Sequence, residues 1–214
     1  MRIVAIPVKA LAKAKSRLAP VLSPLERAAL TLAMLEDVLD AALSMSAWET
    51  WVVSPDEVVL EIAVRRRARP VPERKPPLSA AIRQVEDEAE ERDASALAVL
   101  LGDLPLLTPG ELAEALRTLG PVVAAPSTER DGTNLLVRRP PRVMPARFGK
   151  DSFRKHIEGA RTRGLPVAVA DAPGLVFDLD LPADVATLLR SPSGGRTRET
   201  CLELDLAARL AVRT

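Results

Sequence analysis

MRIVAIPV, residues 1–8, runs directly into KALAKAKSRL, residues 9–18, and this stretch decides the fold that the sequence predicts. The first part is an apolar run of strand length. The second part is a loop whose cationic side chains are Lys9, Lys13, Lys15 and Arg17. A strand that ends in fixed positive charge suits a polyphosphate ligand, because these cations form strong charge-assisted hydrogen bonds to phosphate oxygens. The alternative is a solvated amphipathic turn that binds nothing.

The loop contains no glycine. P-loops and dinucleotide-binding fingerprints hold phosphate with the backbone amides of glycine-rich turns. This chain is therefore expected to hold phosphate mainly with side chains. We predict that Lys9, Lys15 and Arg17 contact a triphosphate, with Lys13 as a further contact.

The composition of the 214 residues excludes several kinds of site. The net charge is +1, so no overall field favours nucleic acid or an anionic membrane. Cys201 is the only cysteine and His156 the only histidine, which excludes an intrachain disulfide framework and argues against zinc sites and nucleophilic triads. We expect His156 to be an ordinary surface residue of a helix and Cys201 to be an unreactive thiol.

The sequence also predicts the cellular location of the protein and the partners that it lacks. The first apolar run is too short for a signal peptide, and no run approaches the ~20 apolar residues that span a bilayer. We therefore expect a cytoplasmic protein without a membrane partner. Two tryptophans, three phenylalanines and no tyrosine leave few surfaces for base stacking, which argues against a nucleic-acid partner.

Four helices are predicted from capping signals and apolar periodicity. Ser23-Pro24-Leu25-Glu26 is a capping box that should open a helix to about Leu43, with Leu25 in its buried stripe. Thr108-Pro109-Gly110-Glu111 repeats this signal, with Leu119 in the stripe and Gly120 as the stop. The other predicted helices are Leu78 to Glu91 and Ser152 to Arg163.

Short apolar runs between these helices predict strands. Because the runs do not alternate with polar residues, they are typical of strands that are covered on both faces. Strands that alternate with helices indicate an α/β fold with a mostly parallel sheet. The runs are Trp51 to Ser54, Ala96 to Leu101, Val122 to Ala125, Leu135 to Val137 and Pro166 to Ala170.

We predict one domain over residues 1–190, followed by a linker and tail over residues 191–214. The boundary is placed at the flexible composition of Ser191-Pro192-Ser193-Gly194-Gly195. The tail is expected either to dock back on the domain or to contact a second subunit in a homodimer. Pro70 to Pro77 is predicted to be a proline-rich connector.

Three aspartates are candidate metal ligands. Asp103 follows a predicted strand, and Asp178 and Asp180 occupy alternate positions, which share one face of an extended segment. Mg²⁺ bound with a triphosphate takes one or two protein carboxylates and fills its other positions with phosphate and water. The alternative is that these residues merely form a turn and begin a helix.

A second polar cluster consists of Asp131-Gly132-Thr133-Asn134 and Arg147-Phe148-Gly149-Lys150-Asp151-Ser152. The second piece leads into a helix, and a helix N-terminus binds anions through its free amides and its dipole. Arg147 and Lys150 would add positive charge to this anion site. The alternative is a capped helix start without a ligand.

Taken in order, five segments resemble the 2-phospho-L-lactate or phosphoenolpyruvate guanylyltransferases of deazaflavin coenzyme (factor 420) biosynthesis. The resemblance covers about residues 1–190 and implies a Rossmann-like sandwich of the nucleotide-diphospho-sugar transferase type. It also implies transfer of GMP from GTP to the phosphate of a three-carbon acid. The segments are PVKALAKAKSRLAPVLSPLER (7–27), GDLPLL (102–107), DGTNLLV (131–137), FG-x-x-S (148–152) and FDLDLP (177–182).

The resemblance assigns roles to individual residues. The acceptor-binding threonine, glycine and serine of the family correspond to Thr133, Gly149 and Ser152. Its metal-binding aspartates correspond to Asp103, Asp178 and Asp180, with magnesium as the implied ion.

One position departs from the family pattern. Where a Gly-Leu-Asn is expected at a helix start, this chain has Pro77-Leu78-Ser79. Leu78 and Ser79 are predicted to contact the nucleotide, with a shorter reach at Ser79.

Two alternatives remain open. One is a nucleotidyltransferase that acts on a sugar phosphate or the molybdenum cofactor, although the LAGG-type loop usual in such enzymes is missing here. The other is a nucleotide-binding module without turnover.

Overall fold

In the computed structural model, which describes residues 1–193 and 195–211, the N-terminal apolar run forms an interior strand of a seven-stranded sheet. The spatial order of the strands is β3-β2-β1-β4-β6-β5-β7. Their bounds are β1 Arg2–Pro7, β2 Glu49–Ser54, β3 Arg69–Pro72, β4 Ala96–Leu100, β5 Val122–Pro126, β6 Thr133–Arg138 and β7 Val167–Val169.

The sheet is parallel except at β6. Strand β1 pairs in parallel with β2 and β4, β2 with β3, and β5 with β7, whereas β6 runs antiparallel to β4 and β5. The amino end of β6 therefore lies at the same edge as the carboxyl ends of β1 and β4. This edge is where open α/β sheets bind ligands.

Helices cover both faces of the sheet. Alternate residues of one strand point to opposite faces, so Val4 and Ile3 belong to two different apolar clusters. One face packs against α1, α2, α4 and α6, and the other against α3 and α5. The bounds are α1 Pro24–Leu43, α2 Glu57–Arg65, α3 Leu78–Glu91, α4 Pro109–Arg117, α5 Ser152–Arg161, α6 Pro173–Val176, α7 Pro182–Arg190, α8 Gly195–Glu203 and α9 Leu206–Ala211.

Double coverage explains the apolar runs, and it confirms the α/β prediction. Every residue of β4 is buried, as expected for a strand between two layers of helix. No helix within residues 1–193 and 195–211 has both the length and the hydropathy that a membrane span requires.

The capping signals were read correctly at both helix starts. Ser23 and Glu26 form the reciprocal bonds of a capping box at α1, and Thr108 and Glu111 do so at α4. The apolar stripes were wrong at their ends. Leu25 is 81% exposed because it lies in the first turn of α1, and Leu119 is 91% exposed because α4 already ends at Arg117.

The proline-rich connector was predicted to begin too early, because β3 takes up its first residues. Proline removes a backbone donor, so it is tolerated in a strand chiefly at the edge of a sheet. Strand β3 is an edge strand, and Pro70 and Pro72 lie in it.

The C-terminal helices dock back on the domain. Asp37 of α1 accepts hydrogen bonds from the N–H groups of Arg196 and Thr197, both at 2.9 Å, and from the Thr197 hydroxyl at 2.6 Å. An added Cβ at Gly195 would clash with the carboxylate of Asp37, and the positive φ of 45° also favours glycine there. Cys201 of α8 is buried, and burial raises the pKa of its thiol to about 11.

We expect Asp37→Ala to lower the free energy of unfolding by about 2–3 kcal/mol, because it leaves buried donors of α8 without an acceptor. Urea denaturation measures this loss, and hydrogen exchange should accelerate in α8. The matched control is Asp40→Ala, which removes a more exposed carboxylate paired with Arg66 and Arg196. Asp40→Ala should lower the free energy of unfolding by less than about 1 kcal/mol. Equal losses in the two variants would contradict a specific role for Asp37.

Candidate active site

A cavity of about 470 Å³ lies at the edge of the sheet where β1 and β4 end and β6 begins. The N-terminal loop, the segments that follow β4 and β5, the start of α5 and the segment before α7 all contribute to its wall. Many predicted site residues meet here although they are distant in sequence. They are Lys9, Lys13, Lys15, Arg17, Leu78, Asp103, Thr133, Gly149, Ser152, Asp178 and Asp180.

A second cavity of about 500 Å³ lies against the edge strand β3. Its charged groups largely neutralise one another, because Glu88 pairs with Arg69 at 3.0 Å and with Arg74 at 3.6 Å. The first cavity instead gathers several carboxylates and cations at the ligand-binding edge of the sheet. We therefore take the first cavity as the candidate active site.

The N-terminal loop turns its charged side chains toward the cavity through two short 3₁₀ turns, Leu11–Lys13 and Ser16–Leu18. Lys15 lies between the turns with a left-handed backbone, at φ 47° and ψ 43°. A non-glycine residue in this conformation carries strain that the surrounding structure must offset. The buried side chain of Leu18 anchors the far end of the loop in the apolar core.

Lys15 is the electrostatic centre of the site. Its ammonium nitrogen lies 2.8 Å from Asp103 Oδ2 and 2.8 Å from Asp180 Oδ1, and its side chain is only 6% exposed. Burial acts to lower the pKa of Lys15, but the two carboxylates outweigh burial and raise the pKa above its ordinary value. Lys15 therefore stays charged at neutral pH.

The carboxylate of Asp180 is held in its charged form. Burial acts to raise its pKa, but the cationic Lys15, Arg17 and Lys9 outweigh burial and lower the pKa of Asp180. Arg17 Nη1 lies 3.9 Å from Asp180 Oδ2, and 69% of the Arg17 side chain is exposed. Arg17 therefore has a head group that is accessible to a ligand at the mouth of the cavity.

Asp178 has a different environment. It accepts hydrogen bonds from the N–H of Thr128 at 3.0 Å and from the Thr128 hydroxyl at 3.1 Å. Burial raises the pKa of Asp178, the nearby charges of Asp103 and Asp180 raise it further, and the bonds from Thr128 oppose this shift. The site thus has unbalanced negative charge around Asp178.

These carboxylates fit a divalent cation that arrives with phosphate ligands. The buried Asp103 Oδ1 has no hydrogen-bond partner among the described residues, and Asp178 lies close enough to repel Asp103. Over the same described ranges, no three His, Cys, Asp or Glu side chains form a ready-made metal site. Two carboxylates with phosphate and water suffice for Mg²⁺.

Another part of the cavity wall suits an anion. Gly149 and Ser152 line it together with Thr133. Asp151 precedes α5 without making a side-chain capping bond. The N–H of Ser152 donates to the Gly149 carbonyl at 3.0 Å, and the next amides of this ten-residue helix have no side-chain acceptor from Asp151. Gly149 has φ +111°, a conformation that only glycine adopts readily.

The prediction that His156 lies on the surface was wrong, because its side chain is completely buried. Its Nδ1 lies 3.0 Å from Thr133 Oγ1, and its Nε2 accepts the backbone N–H of Arg147 at 2.8 Å. These two bonds replace the contacts with water that a surface histidine would make. Ser152, Phe153 and Ala160 are buried on the same helix face, and this spacing was the signal in the sequence.

Three predicted site residues lie outside the lining of the cavity. Arg147 reaches the site region only through its backbone bond to His156, and the carbonyl of Lys150 accepts a bond from Lys155. Ser79 is in the first turn of α3, but only its neighbour Leu78 lines the cavity.

Two lining residues that hold the FDLD segment in place were not predicted from the sequence. Thr128 holds Asp178, and Asp184 accepts the N–H groups of Asp180 and Leu181 at 2.9 and 2.6 Å. Asp184 occupies the third position of α7, where acidic residues typically bond back to the helix start, so its spacing was a usable signal. Thr128 lies in a loop and carried no such signal.

Comparison with known proteins agrees with this geometry. The family model described as "Guanylyl transferase CofC like" matches residues 1–211. A phosphoenolpyruvate guanylyltransferase from Rubrobacter xylanophilus is 42% identical over 193 residues, which cover 89% of this chain and 93% of that protein. A 3-phospho-D-glycerate guanylyltransferase from Phenylobacterium zucineum is 39% identical over 198 residues, which cover 89% of this chain and 91% of that protein.

A solved structure has the same fold. The protein comes from Desulfovibrio desulfuricans G20 and is provisionally described as a nucleotide-diphospho-sugar transferase. It superposes with a TM-score of 0.82 at 18% identity and covers 99% of this chain and 98% of its own. The predicted sandwich is therefore confirmed.

We expect the imidazole of His156 not to titrate between pH 8 and pH 5. Burial, together with the charges of Arg138, Arg147 and Lys155, lowers its pKa from the ordinary 6.5 to about 3. Because the chain has a single histidine, its ring signals in an NMR spectrum need no assignment. A midpoint near pH 6.5 in the native protein would contradict the buried placement.

The lowered pKa of His156 makes the stability of the protein depend on pH. Below pH 6.5 the unfolded chain takes up a proton at His156 that the folded protein refuses until about pH 3. The free energy of unfolding should therefore fall by about 2 kcal/mol from this source between pH 7 and pH 5. Denaturant titrations of the wild type and His156→Gln at both pH values measure the difference, which the variant should lack.

Proposed function

The chain belongs to the CofC-like guanylyl transferase family and is an enzyme of the nucleotidyltransferase type, and on this premise we propose that it transfers GMP from GTP to a three-carbon phospho-acid. Pyrophosphate is released, and the product feeds deazaflavin coenzyme biosynthesis. The observation that carries the proposal is one cavity with a cationic, carboxylate-lined end and an anion-binding wall. Two phosphorylated molecules can meet there.

The reaction suits a site without an available histidine or cysteine. A phosphate oxygen of the acid attacks the α-phosphorus of GTP, and the bond from this phosphorus to the oxygen that bridges to the β-phosphate breaks. Pyrophosphate leaves with the electron pair of that bond. No proton needs to be removed, because the attacking phosphate is already an anion at neutral pH. The remaining barrier is repulsion between two anions, which positioning and positive charge reduce.

Each wall of the cavity has a part in this reaction. Lys9, Lys13, Lys15 and Arg17 would bind the triphosphate and stabilise the charge that builds up on the leaving pyrophosphate. Lys15 is held in place for this role by Asp103 and Asp180. Thr133 and Ser152 would bind the phospho-acid through their hydroxyl groups, and Gly149 would bind it through its backbone N–H.

Asp103, Asp178 and Asp180 are the residues that would hold Mg²⁺. The unpartnered Asp103 Oδ1 and the excess negative charge at Asp178 support this assignment. When bound, the ion would neutralise phosphate charge beyond what the lysines achieve.

The acceptor is a phosphoenolpyruvate, a 2-phospho-L-lactate or a 3-phosphoglycerate. All three carry a phosphate and a carboxylate, which are the groups that an amide-rich, hydroxyl-bearing wall binds. Guanine selectivity is proposed from family membership. Leu78 of α3 lines the cavity and is proposed to contact the nucleotide. We propose a cytoplasmic enzyme without a nucleic-acid partner, and a homodimer as its assembly.

The proposed function predicts pyrophosphate release with GTP, one of the three acids and Mg²⁺ together. The test combines four nucleoside triphosphates with the three acids and measures pyrophosphate by a coupled assay. Turnover should be at least about tenfold faster with GTP than with the other nucleotides, as one lost base contact of about 1.4 kcal/mol requires. Turnover with a sugar phosphate instead would favour the alternative nucleotidyltransferase, and binding of GTP without turnover would favour a non-catalytic module.

We expect Asp103→Asn and Asp178→Asn each to reduce kcat by about 100-fold or more, as the loss of an electrostatic group at the reacting phosphates does. Ser152→Ala should chiefly raise the KM for the phospho-acid, by about tenfold. The control is Asp87→Asn, an exposed α3 carboxylate outside the cavity, which should leave both constants unchanged. Full activity of both aspartate variants would overturn the metal assignment.

A further inference from the structure

The buried ring of His156 has its proton placed by its neighbours. Nε2 accepts the backbone N–H of Arg147 at 2.8 Å, and a backbone amide can only donate. Nε2 therefore carries no proton. In a neutral imidazole the other nitrogen must then carry it, so Nδ1–H donates to Thr133 Oγ1 at 3.0 Å.

This tautomer determines what the Thr133 hydroxyl offers to a ligand. Its oxygen accepts from His156, so its own proton is free to be donated elsewhere. Within residues 1–193 and 195–211, the His156 ring is the only hydrogen-bond partner of that hydroxyl. Thr133 lines the cavity, so a ligand there is the natural acceptor of this proton.

His156 also connects β6 to the segment that precedes α5. The bond from Arg147 fixes the segment that continues into Phe148 and Gly149, both of which line the cavity. The Phe148 ring packs edge-on against the imidazole, with centroids 5.1 Å apart and an interplanar angle of 67°. One side chain thus connects Thr133 with the loop that faces it.

We propose that His156 is a positioning residue that presents the Thr133 hydroxyl as a hydrogen-bond donor to an anionic oxygen of the phospho-acid. The proposal rests on the proposed function, because it deepens the role of the same acceptor site. His156 does not exchange protons with substrate, since its side chain is fully buried and both ring nitrogens are engaged. Its low pKa, caused by burial and neighbouring cations, keeps the ring neutral at working pH.

The test is a double-mutant cycle that measures binding of the phospho-acid. Calorimetry gives the Kd of the acid for the wild type, Thr133→Val, His156→Gln and the double variant, each saturated with a non-hydrolysable GTP analogue. Glutamine can still accept the Arg147 N–H but lacks the donor at the Nδ1 position. Each single variant should weaken the acid about tenfold, the double variant should be no weaker than Thr133→Val, and the Kd of the GTP analogue should not change.

Asparagine at position 156 is the matched control, because its amide places a donor near the position of Nδ1. His156→Asn should keep the Kd of the acid within about threefold of the wild-type value. This change is smaller than the change that the loss of one hydrogen bond would cause. Additive losses in the cycle would show that the two residues act independently and would overturn the proposal. Equal losses in the asparagine and glutamine variants would overturn it as well.

A measurement on the unmodified protein covers the case in which a variant fails to fold. A long-range ¹H–¹⁵N NMR spectrum of the single histidine should show protonated Nδ1 and unprotonated Nε2, whereas the opposite tautomer would overturn the proposal. Different results would contradict the proposed function and the proposed role of His156. If the wild type binds no phospho-acid, the proposed function fails. If it binds the acid and His156→Gln binds it equally well, only the role of His156 fails.

Discussion

The candidate active site depends on the ammonium group of Lys15, which is buried between two carboxylates. An ammonium group out of water is costly unless it is paired and hydrogen-bonded, so the buried Lys15 requires Asp103 and Asp180. These residues follow β1, follow β4 and precede α7, three segments that are far apart in the chain. A single electrostatic requirement thereby holds the N-terminal loop, the central sheet and the FDLD segment around one cavity.

The charge pattern of the cavity matches the difficulty of the proposed reaction. Exposed cations at its mouth and the buried Lys15 supply positive charge, while Asp103 and Asp178 supply negative charge that suits the proposed divalent cation. The part of the wall proposed for the acceptor is lined by Gly149 and by the hydroxyl-bearing Thr133 and Ser152. The proposed sites for the nucleotide and the acceptor thus differ in their chemistry.

An apolar cluster supports the segments that carry the charged side chains of the site. Leu18 adjoins Arg17, and Leu179 separates Asp178 from Asp180, and both leucines lie in one buried cluster. Cys201 of α8 and Leu206 of α9 complete this cluster. The C-terminal helices, which Asp37 ties to α1, therefore contribute to the scaffold that holds the cationic N-terminal loop and the FDLD carboxylates.

The sequence alone determined features that neighbours along the chain control. The capping boxes at Ser23 and Thr108, the strands with buried runs and the charged loop after β1 all follow from local propensity and periodicity. Only the tertiary structure decided the bond between His156 and Thr133, the pairing of Lys15 with two aspartates and the attachment of α8 to Asp37. Each of these depends on side chains more than 20 residues apart, and local pattern carries no information about which distant groups will meet.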